Sequence, residues 1–134
     1  MINTVSVLVV EDTTIMQKMA KIILTDLACK IDIAEDGKKA LDMFKQNSYN
    51  IIFMDIGLPD INGVDVTKAI RNLENNQSHV PIIALTANYD ESYKPVCLNA
   101  GMDDFMLKPL TKDKAKAMIN KFVTKGASVS TDEK

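Results

Sequence analysis

The sequence predicts an α/β fold, a single domain built on a doubly wound, five-stranded parallel sheet with five helices. Three observations carry this. Short apolar runs alternate five times with segments of helical periodicity. The central run, Ile51-Ile52-Phe53-Met54-Asp55, is apolar without alternation for four residues, as suits a strand covered by helices on both faces. Most of the runs also stop on a polar residue capable of chemistry.

Val5 to Val10 is β-branched and apolar and predicts the first strand, ending on Glu11-Asp12. Thr14 with Gln17 fits a capping box opening a helix to about Ala28, with Ile15, Met16, Met19, Ala20, Ile23, Leu24 and Leu27 on its apolar face. Ile31 to Ala34 alternates, so the second strand belongs at an edge. Asp36-Gly37 opens a helix that closes near Asn47 and carries Ala40, Leu41 and Phe44. The third strand, Ile51 to Asp55, enters a loop marked by Gly57, Pro59 and the turn pair Asn62-Gly63.

Val66, Ala69, Ile70 and Leu73 mark a third helix, fraying into Asn75-Asn76-Gln77-Ser78. Ile82 to Leu85 is a fourth buried run, ending on Thr86. The fourth helix runs from about Tyr93 to Ala100: Pro95 must lie in its first turn or break it, and Gly101 terminates it. Phe105 to Leu107 is the fifth strand and leads to Lys108-Pro109. Thr111 starts the last helix, with Ala115, Met118, Ile119, Phe122 and Val123 buried. The organised domain thus spans 4–124, and the polar tail 125–134 is expected to be disordered.

Bulk composition narrows the function. Of the residues 46% are hydrophobic and 25% charged, and the net charge of −2 comes without a basic block, which argues against binding nucleic acid or an anionic membrane. No run approaches the length of a bilayer span, and Met1-Ile2-Asn3-Thr4 lacks the features of a signal peptide. The expected location is cytoplasmic, where isolated Cys29 and Cys97 stay reduced as small core side chains. His79 reads as a surface loop residue, and the eight Met as core filler.

In a parallel sheet the strand C-termini share one edge, and ligands sit there at the switch point. With strand order 2-1-3-4-5, Glu11, Asp12 and Asp55 meet at that edge, with Thr86 and Lys108 beside them. Two carboxylates about 4 Å apart repel by roughly 4 kcal/mol at an effective dielectric near 20, so a cation belongs among them. An all-oxygen donor set without His or Cys selects a hard ion, Mg2+ over Ca2+ where the site is small. A carboxylate nucleophile, a bound Mg2+, an ammonium and a hydroxyl are the parts that phosphoryl transfer needs.

These residues resemble the receiver domain of two-component response regulators, the chemotaxis-regulator-like variant of the flavodoxin-like fold. The matching stretches are Leu8-Val9-Val10-Glu11-Asp12, Met54 to Gly63, Ala84-Leu85-Thr86-Ala87, and Ala100 to Phe105 leading to Lys108-Pro109. The resemblance covers about Val5 to Val123 and implies a role for each position. Asp55 would accept a phosphoryl group from a phosphohistidine on a histidine kinase or histidine phosphotransfer protein. Glu11, Asp12, Asp55 and the Gly57 carbonyl would hold Mg2+. Lys108 would pair with phosphoryl oxygens, across a Lys108-Pro109 peptide expected to be cis. Thr86 would swing toward the phosphoryl group, Phe105 would turn inward behind it, and the small Ala87 would leave it approachable. The switched face, formed by the fourth helix, fifth strand and fifth helix, would address a downstream output protein or domain.

Simpler readings stand beside these. Glu11-Asp12 alone fits an exposed pair at a helix start, and Thr86 fits an N-cap or a strand residue equally well. Phe105 serves core packing and switching alike; Tyr89 and Tyr93 fit partner contacts or ordinary surface aromatics. Gly57 and Asn88 leave the lifetime of a phosphoryl group open. A binding module without phosphorylation would be expected to have lost an acid or Lys108, whereas a phosphatase would need an acid where Gly57 stands. The chain reads as its own phosphotransfer catalyst and not a separate enzyme. It is either a stand-alone regulator or the receiver segment of a hybrid histidine kinase.

Overall fold

A computed structural model of the chain describes residues 4–74, 79–87 and 91–123. The tail 125–134, the stretch Asn75–Ser78, Asn88 and Tyr89 lie outside the described residues. Five strands, β1 (Ser6–Val10), β2 (Lys30–Ala34), β3 (Ile51–Asp55), β4 (Ile82–Thr86) and β5 (Asp104–Leu107), form one sheet in the order β2-β1-β3-β4-β5. All four pairings are parallel. The helices are α1 (Thr14–Asp26), α2 (Gly37–Gln46), α3 (Gly63–Leu73), α4 (Lys94–Ala100) and α5 (Lys112–Phe122).

The two faces of the sheet follow from strand alternation. Leu8, Val10, Ile52, Met54, Ile82 and Ala84 pack with Ala40 of α2, Val66 and Ile70 of α3, and Cys97 and Ala100 of α4. Val7, Val9, Ile51, Phe53, Ile83, Leu85 and Met106 pack with Ala20 and Leu24 of α1 and Ala115 and Ile119 of α5. β3 and β4 are buried along their whole length, which is why their sequences do not alternate, whereas β2 is half-exposed at the edge. The two cysteines are free, Cys97 in the core and Cys29 half-buried.

Several helix boundaries differ from the sequence expectation, each for a local reason. The N-cap of α1 is Thr13, and its side chain makes no capping bond. The expected Thr14–Gln17 box is replaced by Glu11: its carboxylate accepts from the Thr13 N–H (3.2 Å), and its carbonyl accepts from the Gln17 amide (2.6 Å). The helix stops at Asp26, two residues short of Ala28, which takes a left-handed φ of 63°. Asn62-Gly63 is not a β-turn but the start of α3, because the Asn62 side chain accepts from the Asp65 N–H (3.0 Å) as an N-cap. Pro95 lies in the first turn of α4, preceded by a 3-10 turn at Glu91–Tyr93, so the helix is short and not broken. Gly101 ends it at φ 110°, as expected of a left-handed cap.

At the N-terminal edge of the sheet, Arg71 organises a network that sequence reading does not disclose. Its guanidinium donates to the Gly101 carbonyl (2.7 and 2.9 Å), the Val80 carbonyl (2.8 Å), Glu74 (2.9 Å) and Asp103 (2.9 Å). Asp103 also accepts from the Ile82 N–H and contacts His79, so the exposed His79 is a pairing partner as well as a loop residue.

Candidate functional site

At the C-terminal edge the switch point between β1 and β3 gathers the acids. Ligand oxygens of Glu11, Asp12 and Asp55 all lie within 4.8 Å of one another, the one such group of three among the described residues. Burial separates the three: Glu11 is 2% and Asp55 4% exposed, while Asp12 faces solvent. Glu11 is drawn in because its N–H extends the sheet ladder to the Ala34 carbonyl (3.0 Å). Asp55 is the last residue of β3 and follows the alternation of Ile51 and Phe53.

Lys108 bridges the two buried acids. Its ammonium lies 2.9 Å from Asp55 Oδ2 and 3.1 Å from Glu11 Oε1. The Lys108 N–H donates to the Thr86 carbonyl (2.7 Å), which seats the residue just beyond the β4–β5 ladder, and the Lys108-Pro109 peptide is cis. Thr86 ends β4 and is 8% exposed, and Ala87 is exposed next to it. Gly57 donates its N–H to Asp55 Oδ1 (2.9 Å) and Lys108 donates to Oδ2, so both oxygens of the Asp55 carboxylate are engaged. Phe105 is buried in the core layer of α2, α3 and α4, paired in register with Ala84, and is not part of the charged cluster.

The electrostatics follow from this crowding. Burial raises the Glu11 carboxyl above its usual pKa, the Asp55 charge adds to the rise, and Lys108 opposes both. Burial on its own would lower the Lys108 ammonium, but bonds to Asp55 and Glu11 together lift it above the ordinary lysine value. Three carboxylates and one ammonium leave two negative charges without a counter-charge. An all-oxygen donor set with that residual charge fits a hard divalent cation.

The loop after β3 is closed tightly. The Gly63 N–H donates to the Ile56 carbonyl (3.0 Å). A Cβ on Gly63 would meet the Asp55 carbonyl oxygen and come within 2.7 Å of Ile56 Cα, so glycine is required for the close approach. Two participants escaped sequence reasoning. Gln17 braces the Glu11 backbone, and Asp60 crosses to α2, accepting from the Gly37 N–H (2.9 Å) and the Lys38 N–H (3.1 Å). In the sequence Asp60 looks like any solvated acid after a proline; the Gly at position 37, where a helix gains nothing from glycine, was the available signal.

Comparison with known proteins agrees with this geometry. The family model described as the response regulator receiver domain matches residues 7–120. The chain is 39% identical over 135 residues to hybrid signal transduction histidine kinase I of Dictyostelium discoideum, covering 93% of the chain and 8% of that protein. It is 40% identical over 117 residues to the aerobic respiration control sensor protein ArcB of Escherichia coli, covering 87% of the chain and 15% of that protein. The chain therefore spans a small part of the length of these curated relatives.

Among solved structures, one is the receiver domain of the Saccharomyces cerevisiae response regulator Ssk1, co-crystallised with the histidine phosphotransfer protein Ypd1. It superposes with a TM-score of 0.86 at 27% identity, covering 98% of this chain and 97% of that one. The receiver domain of a Pseudomonas aeruginosa sensor histidine kinase, with a magnesium ion coordinated in its active-site cleft, gives 0.80 at 30% identity, covering 90% and 98%. Among the described residues, no helix is long and apolar enough to cross a membrane. On sequence, topology and the clustered acids together, the chain belongs to the response regulator receiver domain family.

Proposed function

We propose that Asp55 is the phosphoacceptor of a two-component or phosphorelay system, taking its phosphoryl group from a phosphohistidine. The observation that carries this is the shared grip of Lys108 on two buried carboxylates at the C-terminal edge of the sheet. In the transfer, an Asp55 oxygen forms a bond to phosphorus as the bond from phosphorus to the imidazole nitrogen breaks, and the leaving nitrogen keeps the electron pair. Glu11, Asp12, Asp55 and the Gly57 carbonyl are the residues proposed to hold Mg2+. When bound, the ion supplies positive charge against the phosphoryl oxygens. Lys108 already lies against Asp55, so its ammonium can follow the oxygens onto the acyl phosphate without a large movement.

Thr86, at the end of β4, is placed in the proposal as the hydroxyl that turns toward the phosphoryl group, with exposed Ala87 leaving room for it. Phe105 lies behind, already inward, so its part in switching is to repack and not to enter. The added charge of about −2 then favours one arrangement of the loops after β3 and β4 and alters the α4–β5–α5 face read by an output protein or domain. Slow loss of the phosphoryl group to water returns the switch. We place residues 4–124 as the receiver unit, working in the cytoplasm. The Ypd1 complex of a similar receiver and the hybrid kinases among the relatives support a histidine kinase or histidine phosphotransfer protein as the partner.

The test is intact mass spectrometry after incubation with Mg2+ and acetyl phosphate. The wild-type chain gains the mass of one phosphoryl group and Asp55→Asn does not. A mass unchanged under several donors rejects the proposal in favour of a binding module.

A further inference from the structure

We infer that Asp60 is a positioning residue for the metal site: by clamping the β3–α3 loop to the N-terminus of α2, it holds the segment that carries Gly57 over the acidic cluster. The inference rests on the phosphoacceptor reading, since it takes the Gly57 carbonyl as one of the proposed Mg2+ ligands. α2 does not need Asp60 for its own cap. Asp36 is the N-cap and accepts from the Lys39 N–H (2.8 Å), the usual capping bond. Asp60, from 22 and 23 residues away in the chain, takes the two preceding amides, one on each carboxylate oxygen. A forked acceptor on two parallel N–H groups fixes direction as well as distance.

Two independent features show that the join is built to be close. A Cβ on Gly37 would lie 2.8 Å from Val66 Cγ2 of α3, 3.2 Å from Ile61 Cβ and 3.3 Å from Asp60 Oδ1, so a larger residue would have to displace Val66 and crowd the loop. Leu58 and Ile61, on either side of Pro59-Asp60, pack into the core layer shared with α2 and α3. The loop is therefore held at both ends, by Gly57 on Asp55 and Gly63 on Ile56, and in its middle by Asp60 on α2. Hydrogen bonds from the Gly37 amide, the main cause, also keep the Asp60 carboxyl below its usual pKa, so the acceptor stays ionised. Without the middle anchor, Gly57, an exposed residue, would have to be ordered each time a cation binds.

The test is a calorimetric Mg2+ titration of the full chain, wild type against Asp60→Ala, with amide hydrogen exchange on both. The expected result is Mg2+ binding about tenfold weaker, the low end for loss of a residue that orients a ligand. Protection at Gly37, Lys38 and Gly57 should fall while the amides of β1, β3 and β4 keep theirs. Asp60→Asn, which keeps one carbonyl acceptor, should fall between. An Asp60→Ala affinity within about twofold of wild type, with Gly37 and Lys38 protection lost, would overturn the inference, because Asp60 would then only cap α2. If Asp60→Ala does not fold, the same comparison on Asp60→Asn decides it. Phosphorylation of the wild type separates the two readings. A chain that binds Mg2+ but gains no phosphoryl mass loses the phosphoacceptor role, while the role of Asp60 stands or falls on the titration.

Discussion

Replacing Lys108 by Met removes the counter-charge of the site and little else. The ammonium is 2.9 Å from Asp55 and 3.1 Å from Glu11, and the three side chains are 17%, 5% and 2% exposed. One ion pair at about 3 Å is worth roughly 5 kcal/mol at an effective dielectric near 20, before desolvation is subtracted. Methionine keeps the bulk of the stem but leaves two buried carboxylates facing each other, a repulsion of roughly 4 kcal/mol at about 4 Å. Uptake of a proton by one of them relieves part of that. The net loss of stability should be about 3 kcal/mol, the lower end of the range for breaking a buried pair. Mg2+ held by the same acids takes over the neutralisation. At a hundredfold excess over Kd, binding stabilises a folded protein by about 2.7 kcal/mol. The variant should gain more than the wild type, because no ammonium competes for the carboxylates. Urea unfolding followed by circular dichroism, in EDTA and in saturating Mg2+, measures both numbers. A variant as stable as wild type in EDTA, or a deficit that Mg2+ leaves unchanged, refutes the electrostatic account.

Three further perturbations address the frame around the site. Gly63→Ala forces a methyl group against the Asp55 carbonyl and Ile56 Cα and should cost about 2–3 kcal/mol in urea unfolding; a loss under about 1 kcal/mol would show that the loop can give way. Arg71→Met leaves Glu74 and Asp103 without their guanidinium and should cost about 3–5 kcal/mol, yet acetyl phosphate should still phosphorylate Asp55, since Arg71 sits at the opposite edge of the sheet. Asp60, with its folded pKa lowered from 3.8, adds stability that is present above that value and is lost as pH falls through the lowered pKa. Asp60→Asn should therefore be less stable than wild type at neutral pH, and the two stability curves should converge in acid; parallel curves would contradict the clamp.

The elements that were legible in the sequence are those whose signal is local. β3 and β4 read as buried strands because residues with both neighbours in a parallel sheet and helices on both faces have no polar side to show. Gly101 read as a helix terminator because the left-handed conformation it adopts disfavours a Cβ. Boundaries slipped where a neighbouring polar group took the capping role in place of the expected one. Glu11 displaced the expected Thr14–Gln17 box, and Asn62 served as a cap where a turn had been expected. The Arg71 network was invisible for a different reason, distance along the chain: its acceptors, Val80, Gly101 and Asp103, are 9, 30 and 32 residues away.

Sequence alone determined which strands exist, which of them are central, and that acids, a hydroxyl and an amine terminate them, since hydrophobic periodicity and chain order are enough for that. Tertiary structure decided how the charges differ from one another. Glu11 and Asp12 are chain neighbours of the same chemistry, yet one is buried against Lys108 and the other faces solvent, because the sheet ladder to Ala34 draws Glu11 inward. The β3–α3 loop meets α2 through Asp60 in the same way. Burial and charge proximity depend on distances across the fold, and no run of neighbouring residues encodes those.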